Sequence, residues 1–415
     1  MFAISGIATL ATAAAQSTRE DQLARFREKA RQDMTSVPNY TCLETIDRSH
    51  REPHGRSFKP MDTVRVEVSS VGGKELFAWP GARKFEDQDV TSIVQGGAIG
   101  SGMFALFAHR LFVTGVGTLQ YGGAEGLDGH AAVRYDFHLT EDEAGLRITA
   151  NRASEVVAAK GSFWFDPSSL DLFRLEVYGE GIPYSLRLEE AVFRTLYARA
   201  RIGDVDALLP KRSELTMTHF SGEANRNAIE FSQCHEYRTE STISFDAPSV
   251  SAPEAPKPLV REVILPAGLL VPLELDGGID SKTATVGDGL HARLAEEIRY
   301  RGELLVPRGA AVVGHIRKLD HRNASVPAAI GMEFSEIEWD GAHAVLFGDL
   351  VSLDRKSAGS HKPVTYFDGH ADKAVIEGGI PGAGVFYIDA AAFRIPPGFR
   401  MVWRTLARPG VPQPR

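Results

Sequence analysis

Apolar and polar residues alternate in many short runs along the chain. In the run AVRYDFHL, one side of an extended chain carries the apolar residues Val133, Tyr135, Phe137 and Leu139. This period of two is typical of an antiparallel strand with one buried face and one solvated face. Turn signals such as Asp128-Gly129 and Asp166-Pro167 separate the runs. The pattern predicts a protein built mainly from short antiparallel strands.

Two stretches depart from this alternation and predict helices. The first has a helical apolar face made of Leu23, Phe26, Ala30 and Met34. Ser17 with Glu20 three residues later has the pattern of a capping box and predicts that this helix starts near residue 17, while Pro38 predicts its end. The second stretch, residues 96–112, predicts a Gly-rich loop that leads into a short apolar helix.

The first residues, MFAISGIATLATAAAQ, have the pattern of a secretory signal over residues 1–16, with a cut expected after Ala15. A basic residue at the front is missing, so either the true start lies upstream or the signal has an unusual opening. The alternative is a short buried helix. The run is too short to span a membrane, and no later segment has about 18 uninterrupted apolar residues. We expect a soluble periplasmic or secreted protein of the bacterial envelope, peripheral to the membrane at most.

A Pro-rich stretch divides the rest of the chain. FDAPSVSAPEAPKPLVRE cannot pack as a central strand and is typical of an extended spacer. The sequence therefore predicts a first domain over 17–245, a linker over 246–262, a second domain over 263–407 and a frayed tail over 408–415.

Composition narrows the class of protein. The chain has 415 residues, which favours more than one domain, and its 40 glycines and 22 prolines favour many turns. The net charge of −8 comes without blocks of like charge, so the basic surface that a nucleic-acid partner requires is missing.

Cys42 and Cys234 are the only cysteines of the chain. An exported protein meets an oxidising compartment, and both cysteines lie in strand-like contexts. We expect their strands to lie side by side and the two residues to form a disulfide. Two buried free thiols are the alternative.

The first half of the chain predicts one helix, a run of antiparallel strands and an apolar helix inserted midway, and it contains GSFWFDPSSLDLFRLEV (161–177) and YGGAEGLDGHAAVRYDFHL (121–139). In these features it resembles the outer-membrane lipoprotein carrier (LolA-like) superfamily. It covers about residues 17–245. It implies an α+β domain with a curved antiparallel half-barrel sheet and covering helices, whose concave face can hold acyl chains. Members of this superfamily transport or sense lipid-modified proteins in the periplasm.

The second half of the chain contains three stretches with regularly placed Pro and Gly: LPAGLLVPLELDGGIDS (265–281), VGDGLHARL (286–294) and LLVPRGAAVVGHI (304–316). In these stretches it resembles the TrbI-like β-barrel domain of type IV secretion outer-membrane components. It implies a small all-β barrel or sandwich that contacts other envelope proteins. Pore formation is not expected, because an apolar helical insertion is missing.

The same residues have an architectural interpretation. Pro266 and Pro307 suit strand starts, and the residues expected to permit bulges or bends are Gly268, Gly309 and Gly314. Alternation predicts that the side chains pointing inward are those of Val271, Leu273 and Leu275. Asp280 is expected to accept hydrogen bonds from the turn that follows it.

Motifs for catalysis or metal binding are incomplete. GGAIGSGMF lacks the Lys-Ser/Thr ending of a phosphate loop, and Ser101 does not lie in a Gly-x-Ser-x-Gly elbow. His235-Glu236 lacks the second histidine of a zinc-protease motif. A metal ion could be bound by the polar set His361, Asp368, His370 and Asp372. We prefer to interpret this stretch as the polar tip of a hairpin. We expect no metal, no cofactor and no enzymatic activity.

The apolar helix predicted near residue 106 is the best functional lead. Its candidate ligand-binding residues are Met103, Phe104, Leu106, Phe107, Leu111 and Phe112. They offer more apolar surface than one packed face requires, so the helix could cover a lipid-accommodating groove. The alternative is that it fills the sheet as its core. The sequence thus favours a non-catalytic envelope protein that binds an apolar ligand or lipidated protein, with an assembly scaffold that has a dry core as the alternative.

Overall fold

Antiparallel strands form most of the protein. The computed structural model describes residues 5–71, 74–82, 85, 90, 106–150, 153–237, 261–320, 328–353, 382–388 and 393–407. The expected mainly β fold is confirmed. The chain divides into two compact units. The N-terminal unit comprises 1–60, 66–78 and 82–238, and the C-terminal unit comprises 61–65, 79–81 and 239–415.

Among the described residues, helices are few and lie in the N-terminal unit. They are α1 (Ser5–Ser36), α2 (Leu106–Ala108, continuing as a π-helical turn over His109–Thr114) and α3 (Glu141–Ala144), with a 3₁₀ turn at Tyr184–Leu186. The predicted start of α1 at Ser17 is wrong, because the helix begins at Ser5. The residues before Ser17 are rich in alanine, a strong helix former, so the helix extends past the capping-box pattern.

The N-terminal unit is built on one eleven-stranded sheet with the order β3-β2-β1-β11-β10-β9-β8-β7-β5-β4, and β6 pairs with β7. The strands are β1 (Tyr40–Arg51), β2 (Lys59–Val71), β3 (Lys74–Ala78), β4 (Thr118–Leu127), β5 (His130–Leu139), β6 (Leu146–Ala150), β7 (Ala153–Phe165), β8 (Leu172–Glu180), β9 (Leu188–Ile202), β10 (Val205–His219) and β11 (Ala224–Glu236). The sheet is a curled half-barrel.

Local patterns in this sheet match those in the sequence. The apolar residues of AVRYDFHL are buried, while Arg134 and Asp136 are only partly covered and His138 is exposed. Asp128 and Gly129, with φ of 51° and 83°, form the turn between β4 and β5. Positive φ at both central residues twists a two-residue hairpin turn in the same sense as its strands.

One face of this sheet, here called the inner face, packs against α1 and α2. Phe26 of α1 stacks on Phe165 and Phe163 of β7, with ring centroids 4.1 and 5.3 Å apart, and meets the edge of Phe112 of α2 at 5.2 Å. Phe26 is fully buried. These aromatic rings, together with Tyr135 of β5, form the core at this end of the sheet.

An ion-pair network fastens the second half of α1 to the sheet. Lys29 and Arg199 both contact Asp33 and Asp171, with nitrogen–oxygen distances of 2.6 to 2.8 Å. Burial raises the pKa of Asp171, but hydrogen bonds from Arg199 and Lys29 outweigh it and leave this pKa below its ordinary value.

A disulfide joins Cys42 of β1 to Cys234 of β11, as expected from the sequence. The two strands pair directly, and the disulfide lies beside a bulge in their register. The bond thus joins the two paired strands that come first and last along the chain in this sheet.

The described strands of the C-terminal unit are β12 (Arg261–Glu262), β13 (Leu270–Leu275), β14 (Ile279–Asp280), β15 (Gly289–Leu294), β16 (Ile298–Tyr300), β17 (Glu303–Val306), β18 (Ala311–Asp320), β19 (Ala328–Trp339), β20 (Ala342–Val345), β21 (Gly348–Leu353), β22 (Ala383–Ile388), β23 (Arg394–Ile395) and β24 (Arg400–Thr405). The main sheet has the order β12-β20-β19-β18-β15-β13-β24-β21, with β22 beside β19. Strands β14 and β23 pair with each other, as do β16 and β17. Most of the predicted linker lies outside the described residues, and its last two residues form β12.

Packing in the C-terminal unit follows the sequence pattern. The inward side chains of β13 are buried as predicted: Val271, Leu273 and Leu275. The Asp280 carboxylate accepts a hydrogen bond from the Lys282 backbone N–H at 3.0 Å, also as predicted. Gly314 lies at a register shift between β18 and β19, where a Cβ atom would come within 2.0 Å of the Glu333 carbonyl oxygen. A glycine is therefore required for the two strands to approach there.

Candidate ligand-binding face

The inner face continues from the helix-covered end across four further strands. Phe107 of α2 contacts Phe193 of β9, with ring centroids 5.8 Å apart, which marks Phe193 as inward. Residues directly opposite each other in paired strands point to the same side of a sheet. The register therefore places one inward row across β9, β10, β11 and β1, formed by Phe193, Leu215, Asn227 and Arg48.

A second inward row runs beside the first. Its members in the same strands are Thr195, Ser213, Ile229 and Ile46. Farther along β1 the same face carries Glu44, which lies opposite Phe231 of β11. Across β9, β10, β11 and β1 the inner face thus carries both apolar and polar side chains.

The polar members of these rows are buried. We name them the inner polar strip: Glu44, Arg48, Thr195, Ser213 and Asn227. Thr195 and Ser213 share a hydrogen bond of 2.9 Å between their hydroxyl oxygens. Burial of polar and charged side chains has a desolvation cost, so five of them on one face of a sheet are unusual for a surface that only packs.

Glu44 is the most strongly perturbed group of the strip. Glu44 is only 3% exposed. Burial, together with the nearby Glu75 of β3, raises the pKa of its carboxyl to about 8. Burial and Glu75 also raise the pKa of Tyr40, and burial, Tyr40 and Glu75 raise that of Tyr197. At neutral pH Glu44 is therefore mainly a neutral acid, which can donate a hydrogen bond as well as accept one.

This arrangement suits binding more than bond cleavage. The apolar side chains offer a surface for alkyl chains, and the inner polar strip offers hydrogen bonds to a polar group attached to such a chain. Across the described ranges, no group of three or more His, Cys, Asp or Glu side chains is placed to hold a metal ion.

The predicted ligand-binding residues are divided by the structure. Phe107, Leu111 and Phe112 are buried on the inner face, and Leu106 is partly covered. Met103 and Phe104 lie outside the described residues, as does the Gly-rich loop predicted before the helix. Contact between these six residues and a ligand stays a prediction.

The end of α2 is held firmly. Arg110 donates a hydrogen bond to the Glu143 carbonyl of α3 at 2.8 Å, and the backbone N–H of Gly115 caps the helix on the Arg110 carbonyl at 2.9 Å. Tertiary hydrogen bonds thus fix this end of α2 beside the inner face.

Sequence reasoning missed the inner polar strip. Strand β1 reads YTCLETIDRSHR, and Glu44 and Arg48 look like ordinary solvated strand residues there. Only the pairing with β11 shows that the face they share with Ile46 is the inner one. The available signal is that Glu44, Ile46 and Arg48 have the same parity in the strand, but parity alone does not say which face is inward.

Other candidates from the sequence do not come together at this face. His235 is exposed near the end of β11, where its Nδ1 lies 2.9 Å from the Gln233 carbonyl oxygen. Outside the described residues lie Ser101, His361, Asp368, His370 and Asp372.

The opposite, outer face carries a shallow cavity of about 440 Å³ beside Leu196. The charged side chains there largely compensate one another, because Arg194 lies 3.5 Å from Glu176 and 3.4 Å from Glu214. Arg174 also contacts Glu176. The charged side chains at this outer cavity are thus paired with one another.

Comparison with known proteins gives only distant likenesses. No protein-family model matches the sequence, and no curated protein matches it significantly. A LolA superfamily protein from Nitrosomonas europaea is 12% identical, with 52% of this chain and 94% of that chain covered and a TM-score of 0.28. A protein domain titled as outer membrane lipoprotein-sorting, from Vibrio parahaemolyticus, is 10% identical, with coverages of 53% and 93% and a TM-score of 0.29.

A DUF1329 family protein from Desulfovibrio piger gives similar values: 12% identity, coverages of 53% and 92%, and a TM-score of 0.29. At these identities and TM-scores the likenesses carry no inference about what this chain binds. The TrbI-like resemblance of residues 263–407 stays a prediction.

Proposed function

We propose that this protein is a non-catalytic envelope protein whose N-terminal unit binds an acyl chain, carried by a lipid or a lipidated protein, on the inner face of its curled sheet. The C-terminal β unit then makes contacts with other envelope proteins. The single observation that supports ligand binding most is the inner polar strip on an otherwise apolar inner face.

Apolar side chains stabilise a purely structural core better than polar side chains do. Burying Glu44 and Arg48 has a desolvation cost that a filled core of similar volume avoids. A ligand with an apolar chain and a polar head matches both components of the face. The same match requires no reactive side chain, which fits a carrier or sensor.

Export agrees with two independent features. The first sixteen residues have the pattern of a signal segment, and the Cys42–Cys234 disulfide is of the kind that persists in oxidising compartments. Within the described ranges, no helix combines the length and apolar character that crossing a membrane requires.

Protein contacts of the C-terminal unit are supported by its exposed apolar side chains. Leu270 is 55% exposed at the start of β13, and Ile264 and Leu304 are exposed as well. A protein partner that covered these side chains would remove their apolar surface from water.

A scaffold without a ligand is the second candidate. It is favoured by the ring cluster in which Phe26 contacts Phe112, Phe163 and Phe165, since these rings fill the interior at one end of the sheet. In that case the inner face serves only as the core of an assembly protein.

Lipid extraction separates the two candidates. Protein purified from envelopes is extracted and analysed by mass spectrometry, then offered a radiolabelled monoacylglycerol. We expect an acyl species to co-purify and the labelled lipid to bind. Leu215→Gln, on the inner face, should bind less, whereas Leu196→Gln, on the outer face, should bind normally; near-UV circular dichroism checks that both variants fold. Protein that carries no acyl species and gains none is a scaffold.

A further inference from the structure

We propose that Glu44 recognises the ester carbonyl that links an acyl chain to its headgroup, so that the inner face selects neutral acyl esters over free fatty acids. This inference rests on the proposed function and names the chemical class of its ligand. A diacylglyceryl group on a protein and a free acylglycerol share this ester chemistry.

The surroundings of Glu44 are apolar on two sides. Ile46 is the next residue of β1 on the same face, and Phe231 lies directly opposite on β11. Both residues are buried, so the Glu44 carboxyl has apolar neighbours along β1 and across to β11. An alkyl chain in contact with these neighbours would lie next to the carboxyl.

No described residue donates a hydrogen bond to the Glu44 carboxyl, although it is 3% exposed. Buried carboxyl groups in folded proteins normally have such partners. A polar group supplied by a ligand would be such a partner.

The charges around Glu44 decide which polar group fits. Glu75 of β3 raises the pKa of Glu44 electrostatically. It also raises the pKa of Tyr40 of β1 and of Tyr197 of β9. Arg48 lies two inward positions further along β1. Burial and Glu75 keep the Glu44 carboxyl protonated at neutral pH, so it presents an O–H donor.

An ester carbonyl oxygen is an uncharged acceptor that matches this donor. A fatty-acid carboxylate is a worse match, because its negative charge is repelled by Glu75 and poorly solvated beside Ile46 and Phe231. An ether of the same length removes the carbonyl acceptor and retains the chain. The three head chemistries therefore test the inference directly.

The experiment measures dissociation constants at pH 7 for the monopalmitoyl ester of glycerol, its hexadecyl ether analogue and palmitate. We expect wild type to bind the ester about tenfold more tightly than either of the others, as the loss of one buried hydrogen bond implies. Glu44→Leu should bind the ester and the ether with equal affinity, and palmitate should remain weaker because Glu75 is still present. Glu44→Gln retains an N–H donor and should keep most of the preference for the ester.

The pH dependence adds a second readout. As the pH rises above 8, the Glu44 carboxyl of wild type ionises and loses its donor, so the preference for the ester should decline. Glu44→Gln should keep a constant preference over the same range. Glu230→Leu, on the outer face of β11, is the matched control and should behave as wild type; thermal unfolding checks all variants.

The outcomes distinguish this inference from the proposed function. Wild type that binds the ester and the ether equally well, or Glu44→Leu that keeps the wild-type preference, overturns the role of Glu44 and leaves acyl binding intact. Wild type that binds none of the three ligands overturns the proposed function itself, and the inference with it.

Discussion

Cys42 and Cys234 are bonded to each other across a separation of 192 residues, which ties β1 to β11 at the point where the first strand of the sheet meets the last. Glu44 lies two residues from Cys42, so the bond also holds this part of the inner face in place. Antiparallel pairing between strands so far apart in sequence requires the closure of a long loop, which the bond limits in the unfolded chain.

Removal of this disulfide is expected to destabilise the N-terminal unit by about 2–5 kcal/mol, because the unfolded chain regains the entropy of an open loop. The measurement is urea unfolding of wild type, with and without reductant, beside the double variant Cys42→Ser/Cys234→Ser. Reductant should not affect the double variant. Equal unfolding midpoints for fully reduced and oxidised wild type would contradict the expectation.

Phe26 is expected to be the residue of α1 that contributes most to stability. Phe26→Ala removes a ring that contacts Phe112, Phe163 and Phe165, and should lower the free energy of unfolding by about 3–5 kcal/mol. Phe220→Ala, at an exposed turn, is the control and should cost under about 1 kcal/mol. Chemical denaturation followed by circular dichroism compares the two variants. A loss for Phe26→Ala as small as that of the control would show that the ring cluster is not a core.

The pH dependence of stability should report on Glu44. Its pKa is about 8 in the folded protein against an ordinary value of 4.5, so between these values the folded state binds more protons than the unfolded chain. The stability contributed by the neutral acid is complete below 4.5 and is lost as the pH rises to about 8. Glu44→Gln cannot ionise and should therefore be more stable than wild type by about 2–4 kcal/mol at pH 8.

The measurement for this comparison is urea unfolding of wild type and Glu44→Gln at several pH values between 4 and 9. The difference between them should grow with pH up to about 8 and then stay constant. Glu230→Gln, at an exposed position on β11, should run parallel to wild type. A difference that does not change with pH would mean that Glu44 is ionised in the folded protein.

Gly314 and Gly289 form a matched pair in neighbouring strands of the C-terminal unit. A Cβ atom at Gly314 would come within 2.0 Å of the Glu333 carbonyl oxygen, whereas nothing lies within 4 Å of one at Gly289. Gly314→Ala should lower stability by about 2–3 kcal/mol because β18 and β19 must separate, and Gly289→Ala should change it by under about 1 kcal/mol. Thermal unfolding of the two variants checks the order, and equal melting temperatures would contradict it.

Much of the local structure could be predicted from the residues themselves. The alternation around Tyr135, the hairpin turn at Asp128-Gly129 and the apolar face of α1 around Phe26 all depend on neighbours within a few positions. The disulfide was also predictable, because an exported chain with only two cysteines has one way to pair them. The start of α1 was not, because alanine-rich residues before Ser17 extend the helix.

The sequence by itself determined which segments form strands, where several of them turn and which side chains of each strand share a face, because these properties follow from periods of two or of 3.6 residues. Only the tertiary structure decided that β11 lies beside β1, that Glu44 points to the inner face and that Glu75 is close enough to raise its pKa. Strand order and the choice of buried face depend on contacts between residues far apart in the chain. A local pattern cannot specify those contacts, since either face of an isolated strand can be the one that is covered.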